Sequence, residues 1–523
     1  MRAGLLALLA ELVYYVLAAY GNHPFAYPLD DPYIHLTLAR NLAHTGVLGI
    51  NPGVWASASS SPLWTLLLTA VITFAPGQDT APLVLNLILA AGLLWWLGGF
   101  LLDRGWSPFL ALLLGLAFML AVPLAPLAFT GMEHVLHLVL VVALLLSVAR
   151  HLDHRSPVNT PLILAALATA ARFESFFLLL GMGLFLVVGG RRRLGVALPA
   201  VGALVICTFG AINLAHGESF LPNTMLVKAL AGAQNGGLLV TKAEAWVRQT
   251  TGVPALLALL ALLSGMIWYR SDNYLERRSL AWQTVVGGFL VGATLHLALA
   301  AVGWFARYEA YLLGSGMVVW AWAYTELRRG HRGPARVRRT ANSNMALLLA
   351  VSGLVILPPF LSRAGLLKQT APAMAEVYFQ QLQVAHFVEH YYRDQIVAAN
   401  DIGAVSYYSH SRLVDLMGLA NHPLARARYQ GTLTTDRLDE VVKEQGARIA
   451  IAYPEWFRQG PPPPRWVLVA TWKTPGEEIA VGGQVVGFYA LEEDPAVLRS
   501  QLQEFQPQLP PEIEVTYLAP PAG

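Results

Sequence analysis

The sequence predicts a mainly α polytopic membrane bundle followed by a C-terminal soluble α/β domain, and three observations carry that prediction. Of 523 residues, 55% are hydrophobic and 13% charged, about half the charged share of an ordinary soluble domain. Apolar windows near the ~20 residues that a spanning helix needs recur along the first two thirds of the chain. Past Leu361 charge rises, and short β-rich runs alternate with amphipathic segments over a length usual for one domain.

The windows are 5–20, 81–102, 107–129, 135–149, 194–214, 253–269, 280–302, 311–324 and 345–361, while 161–171 and 173–189 meet at Arg172 as a helical hairpin. Together they make about eleven spans. Residues 62–75 suit an interfacial or re-entrant segment, because a run of ~10 to 14 residues is short for a span. Arg104, Arg150 with Arg155, Arg191 to 193, Arg270 with Arg277 and Arg278, and the cluster over 328–339 fall in alternate connections. The positive-inside rule puts these, and the N-terminus, on the cytoplasmic side of a multi-pass cell-membrane protein. Residues 21–61, 130–134, 216–251 and 303–308 then face out, as does everything after Leu361. The expected division is a transmembrane catalytic domain over 1–361, with a large first outer loop at 21–61, and an extracytoplasmic α/β domain over 362–523.

Met1-Arg2 before an apolar run resembles a secretory signal, but Tyr14, Tyr15 and Tyr20 replace the small residues of a cleavage site, so a retained first helix is expected. The single Cys207 lies within a span and forms no intramolecular disulfide. A net charge of +3, with no basic groove carrying interleaved aromatics, argues against nucleic acid. In the C-terminal part, 374–392 and 436–445 have helical periodicity, and 396–399, 412–416, 448–452, 466–472 and 485–491 read as strands. Residues 460–464 form a stiff proline-rich loop, and the proline-rich tail 506–523 reads as neither helix nor strand.

The acidic pair Asp30-Asp31 directly follows the first hydrophobic segment. Carboxylates beside a bilayer need a partner, a wet cavity or a task. Asp31 before Pro32 suits a helix N-cap, which leaves its neighbour to point into a cavity as a general base or a metal ligand. Glu133 follows Thr130-Gly131-Met132, and Arg172 with Glu174 occupies the hairpin tip; an ion pair locking helices is one account of them. Asn223, Lys228 and Arg307 beside Tyr308 add polar and cationic groups in later outer loops. Arg172, Lys228 and Arg307 are the candidate phosphate ligands, Arg as a planar donor fork and Lys as a point charge; side chains snorkelling at the interface are the plainer alternative. Tyr407, Tyr408 and Asp415 fall near predicted strand ends and suit a sugar ring, although turn chemistry explains the Asp equally well.

Taken in order, Asp30-Asp31-Pro32-Tyr33-Ile34, Ala39-Arg40-Asn41-Leu42, Gly46, Asn51-Pro52-Gly53, Ser61-Pro62-Leu63-Trp64, Thr130-Gly131-Met132-Glu133, Arg172-Phe173-Glu174, Pro222-Asn223-Thr224 with Lys228, Arg307-Tyr308, Asp401-Ile402-Gly403 and Asp415-Leu416-Met417-Gly418-Leu419 resemble the bacterial GT-C membrane glycosyltransferases. The similarity is greatest to the branch that includes the mycobacterial terminal arabinofuranosyltransferases. It implies transfer of a sugar from a polyprenyl-phosphate donor to an extracytoplasmic glycan, lipid or protein acceptor, with Asp30 as the catalytic carboxylate. Phe173, where relatives often carry Pro, and Pro32, where Ala is common, weaken any carry-over of the particular sugar or acceptor. A polyprenyl phosphate is a good leaving group, so one base and one or two cations make a sufficient set. Asp30 would take the proton; Arg172, Lys228 or Arg307 would hold the phosphate. Asp31 and Glu133 could orient the acceptor, and a divalent ion could sit on Asp30, Asp31 or Glu133; no other cofactor is implied. The contrasting readings are a transporter or flippase of lipid-linked glycans and a non-catalytic scaffold. Transporter sites tend toward the midplane between repeats, whereas these charges collect at one face.

Overall fold

The computed structural model describes the chain apart from residues 154–155, 231–251, 274–278, 331–360, 458–461 and 519–523, and apart from the side chains of 228–230, 252, 267–273 and 327–330. The predicted span 345–361 and most of the basic cluster 328–339 therefore lie outside the described residues.

Among the described residues, five helices are long and apolar enough to cross a membrane: Arg2–Tyr20, Ala81–Asp103, His134–Leu152, Arg192–Ala215 and Leu280–Leu299. Shorter apolar helices are Pro62–Phe74, Pro108–Ala121, Asn159–Ala171, Ser175–Val188 and Val253–Met266. Together with Ala310–Gly330 these apolar helices are those of a membrane protein. The window 107–129 is interrupted after Ala121, where Pro123 adopts φ 20° and the helix restarts as Leu124–Phe129; proline removes a backbone donor and clashes with the preceding turn. The hairpin is present, with Arg172 extended between its two helices at φ −157°. Pro62–Phe74 is a 13-residue helix. Ser61 before it donates to the Ala171 carbonyl at 2.6 Å, Asp79 after it accepts from Tyr27 and Tyr408, and Trp64, Leu68 and Ile72 pack with the C-terminal part.

The C-terminal part is built on a six-stranded mixed sheet of order β2-β1-β3-β5-β4-β6, with β1 Ile396–Ala399, β2 Arg412–Asp415, β3 Ile449–Ala452, β4 Val467–Lys473, β5 Val485–Ala490 and β6 Glu514–Tyr517. β2, β1 and β3 are parallel, and the remaining pairings are antiparallel. β6 corrects the reading of the tail: its prolines flank Glu514–Tyr517 without entering it, so its amides remain available to β4. A short helix, Gly403–Tyr408, follows β1 and carries Tyr407 and Tyr408, which are thus not at strand ends.

Apolar burial does not stop at Leu361. Tyr33, Leu36, Trp64 and Leu68 share one buried cluster with Phe387, Val405, Leu413, Trp472 and Phe488. The first loop is consequently sandwiched between bundle and sheet.

Candidate active site

The helix Asp31–Thr45 begins with Asp31 as its first residue and Asp30 in the cap position, and neither carboxylate caps it. The expected cap at Asp31 is corrected on this point. Pro32 supplies a fixed φ and no N–H, so this terminus has one donor fewer to satisfy, and both acids turn elsewhere.

Asp30 reaches across 373 residues of sequence. Its carboxylate accepts from the Gly403 amide at 2.5 Å and the Ala404 amide at 2.8 Å. In a parallel α/β sheet the amides that follow a strand end are where an anion is commonly received, and here the protein's own carboxylate fills that place. Gly403 is required: a Cβ there would lie 2.1 Å from the Asp30 carbonyl oxygen. Burial, reinforced by nearby Asp401, pushes the Asp30 carboxyl up to about 8, and the two amides offset this only in part. Asp401 is itself raised by burial while accepting from Tyr453 and Gln381. Further ties flank this one: Arg40 donates to the Tyr407 and Ser406 carbonyls, Thr37 bonds Ser406, and the Asn51 amide both donates to and accepts from the Leu413 backbone.

Asp31 faces the bundle instead. Its carboxylate accepts from Arg307 Nη1 at 3.0 Å; the Arg307 side chain is 2% exposed and that of Asp31 27%. Arg307 Nε is buried without a hydrogen-bond partner. The loop bearing Arg307 is unusual, since Gly303, Trp304, Phe305 and Ala306 all have positive φ, between 46° and 79°. Three non-glycine residues in a row in the left-handed region are costly, and a buried ion pair holds them. Arg363 bonds Glu309 Oε1 at 2.5 Å and the Ala306 carbonyl at 2.9 Å, while Glu309 Oε2 accepts from the Gly303 amide at 2.8 Å. Arg363 and Glu309 were not anticipated from the sequence. Two charges in otherwise apolar surroundings were the available signal.

Arg172 is saturated by carboxylates, bonding Glu133 at 2.5 Å and Glu174 at 2.6 Å. The ion-pair account of Glu133 and Arg172 is thus what the structure contains. Burial alone would raise the Glu174 carboxyl, but Arg172 outweighs it and carries Glu174 down to about 2. Tyr308 lies between the two arginines: its ring centroid is 5.6 Å from the Arg172 guanidinium carbon and 5.2 Å from that of Arg307. Gly131, at φ 64°, lets the Glu133 turn approach the Tyr27 ring, which a Cβ would meet at 2.6 Å. Beside Arg172, Glu174 and Tyr308 opens a cavity of about 260 Å³ whose other walls include Phe176, Phe177, Ile206 and Met225.

The remaining candidates are placed differently. Asn223 is buried and donates to Glu218 at 2.8 Å. The Lys228 side chain lies outside the described residues. Tyr408 donates to Asp79 at 3.0 Å, and Tyr407 packs under the Arg40 guanidinium at 5.2 Å, so both rings serve the contact between first loop and sheet. Asp415 is buried and accepts from the Met417 and Ala420 amides of its own turn, burial raising its carboxyl to about 6. Asp30, Asp31 and Glu133 each take a different partner, and among the described residues no three His, Cys, Asp or Glu side chains gather as a ligand set. These residues do not fit the divalent site that their types alone allowed.

Comparison with known proteins supports the architecture. A family profile described as a domain of unknown function, DUF8728, matches residues 373–489. No characterised protein matches in sequence. Among solved structures, the oligosaccharyltransferase of Archaeoglobus fulgidus tethered to an acceptor peptide containing the NVT sequon aligns with a TM-score of 0.51 at 12% identity, covering 92% of this chain and 74% of that one. The archaeal oligosaccharyltransferase AglB from the same organism, in complex with an inhibitory peptide and a dolichol-phosphate, aligns at 0.49 and 12% identity over 93% of this chain and 75% of that one. The chain therefore shares its fold with that tethered oligosaccharyltransferase. Neither comparison bears on the arabinofuranosyltransferase branch.

Proposed function

We propose that the protein is a membrane glycosyltransferase that moves a sugar from a polyprenyl-phosphate donor to an extracytoplasmic glycan, lipid or protein acceptor, with Asp31 rather than Asp30 as the carboxylate that receives the acceptor proton. The observation that carries this reading is the contrast within the acidic pair. Asp30 is spent on two backbone amides, whereas Asp31 keeps a quarter of its side-chain surface and sits against a buried arginine. A base must reach the acceptor hydroxyl; both acids are partly exposed, and of the two Asp31 is the one whose carboxylate is not held by backbone amides.

The donor fits the neighbouring cavity, one wall of which is Tyr308, the ring that Arg307 stacks on. An apolar cavity with a charged rim suits a lipid phosphate, its isoprene units against Phe176, Phe177, Ile206 and Met225 and its phosphate at the Tyr308 end. Arg307, with one guanidinium N–H unsatisfied, is the cation best suited to the departing phosphate; Arg172 is already neutralised by Glu133 and Glu174. In the proposed reaction the acceptor oxygen attacks the anomeric carbon as the bond to the phosphate oxygen breaks. The acceptor proton passes to Asp31, and the charge on the leaving phosphate is met by Arg307. A donor-shaped photoprobe tests the binding half. A polyprenyl phosphate bearing a diazirine on its first isoprene should label Phe176, Phe177, Ile206 or Met225, and labelling confined to the outer surface of the bundle would remove the cavity from the mechanism.

A further inference from the structure

Four helices of the bundle run between two polar ends. They are Arg2–Tyr20, Ala81–Asp103, His134–Leu152 and Ala310–Gly330, and the last two begin next to Glu133 and Glu309 of the site just described. Their other termini converge about 28 Å away, taking 1.5 Å per residue over 19 residues, around a second and larger cavity of about 840 Å³.

This cavity is lined by charge of both signs. Arg104 is paired with Glu326 at 3.2 Å and bonds Thr325. Four charges remain, namely Arg2, Arg150, Asp103 and Asp153, and among the described residues none of the four forms an ion pair. Arg2 is not simply reaching for water. Its guanidinium lies so close to Gly99 that a Cβ there would meet it at 2.1 Å, and it stacks over Trp95 at 5.2 Å. Trp95 and Trp96 also line the opening, Trp95 49% exposed, which is the usual placement of indoles at the level of lipid headgroups.

We infer that this cavity binds the zwitterionic headgroup of a phosphoethanolamine lipid from the leaflet opposite the transfer site. The phosphodiester would take Arg2 and Arg150, and the primary ammonium Asp103 and Asp153. Two unpaired cations alone would suit any anionic lipid, but a glycerol headgroup would offer the two carboxylates only neutral hydroxyls and no positive charge. A trimethylammonium headgroup carries the charge but no N–H to donate, and only an ammonium group donates three hydrogen bonds. The indole rings suit either cation, so the carboxylates make the distinction.

Native mass spectrometry of the full-length protein in detergent, titrated with phosphatidylethanolamine, phosphatidylcholine and phosphatidylglycerol of matched acyl chains, tests the assignment. Wild type should retain the ethanolamine lipid at least tenfold better than either other. Asp103→Asn/Asp153→Asn should lose that preference, and Arg2→Gln/Arg150→Gln should weaken retention of all three lipids, since a charge-assisted hydrogen bond corresponds to roughly a ten- to hundredfold change in affinity. The exposed single variant Arg150→Gln should show a smaller loss and keeps the test open should Arg2 matter to the first helix. Equal retention of the three lipids by wild type, an unchanged preference in the aspartate double variant, or unchanged retention in the arginine double variant would overturn the proposal. So would displacement by an equal concentration of glycerophosphoethanolamine, which carries the headgroup without acyl chains.

Discussion

Replacing Asp31 with asparagine removes a charge and a proton acceptor while keeping the shape. The amide oxygen still accepts from Arg307 across the 3.0 Å contact, but a neutral acceptor makes a bond about half as strong as a charged one. With the carboxylate 27% exposed, water screens the pair, and the cost to stability is on the order of 1 kcal/mol or less. The cost to chemistry is much larger. A positioned general base contributes roughly 10²- to 10⁴-fold, or about 3 to 5 kcal/mol of barrier at 1.36 kcal/mol per tenfold. Asp31→Asn is therefore expected to lower transfer at least a hundredfold with its melting temperature close to wild type. The assay is transfer from a panel of radiolabelled polyprenyl-phosphate sugars to acceptors in a cell-envelope extract, with donor binding measured in parallel. Activity within about threefold of wild type would refute the assignment of Asp31.

Other perturbations separate the remaining roles. Asp30→Asn should keep transfer within about tenfold but destabilise the protein by ~1 to 3 kcal/mol, because the new amide group turns a donor toward one of two backbone donors. The Asp30 carboxyl lies at about 8 in the folded protein, above its ordinary value, so its contribution is full below the ordinary carboxylate range and is lost as pH rises through 8. The melting temperature should fall between pH 6 and pH 9 in wild type, and that fall should flatten in Asp30→Asn. Arg172→Met should destabilise by roughly 3 to 5 kcal/mol by leaving Glu133 buried and unpaired. Arg307→Gln should instead weaken binding of the donor phosphate about ten- to a hundredfold, measured by titration calorimetry. Ala306→Gly relieves one left-handed residue and should stabilise the fold by about 1 kcal/mol in denaturant melts; a lower transfer rate in that variant would mark the rigidity of the loop as functional.

The outline of the bundle, the Arg172 hairpin and five of six strands were legible because each rests on local periodicity. What was not legible depends on contacts distant in sequence. Asp30 and Asp31 are adjacent and chemically identical, and only the arrival of Gly403 on one side and Arg307 on the other assigns them different tasks. Tyr407 and Tyr408 suggested a sugar platform because the helix that turns them toward Arg40 and Asp79 is too short to show a period. Arg363 and Glu309 are 54 residues apart, and nothing in either neighbourhood announces the other.

The ties from Asp30, Thr37, Arg40 and Asn51 to residues 403–413 bear on the order in which the molecule can be made. Asp30 leaves the ribosome 373 residues before its partner Gly403, which at ~5 to 20 residues per second is a wait of roughly 20 to 75 s. Throughout that interval the first loop has no sheet to rest against. Its buried tyrosines and Trp64 are exposed at the membrane surface, and the Asp30 carboxylate has only water to meet it. Assembly is therefore gated by the last third of the chain. A chain truncated before residue 403 should leave the first loop accessible to protease, and extension through the last strand, Glu514–Tyr517, should close it.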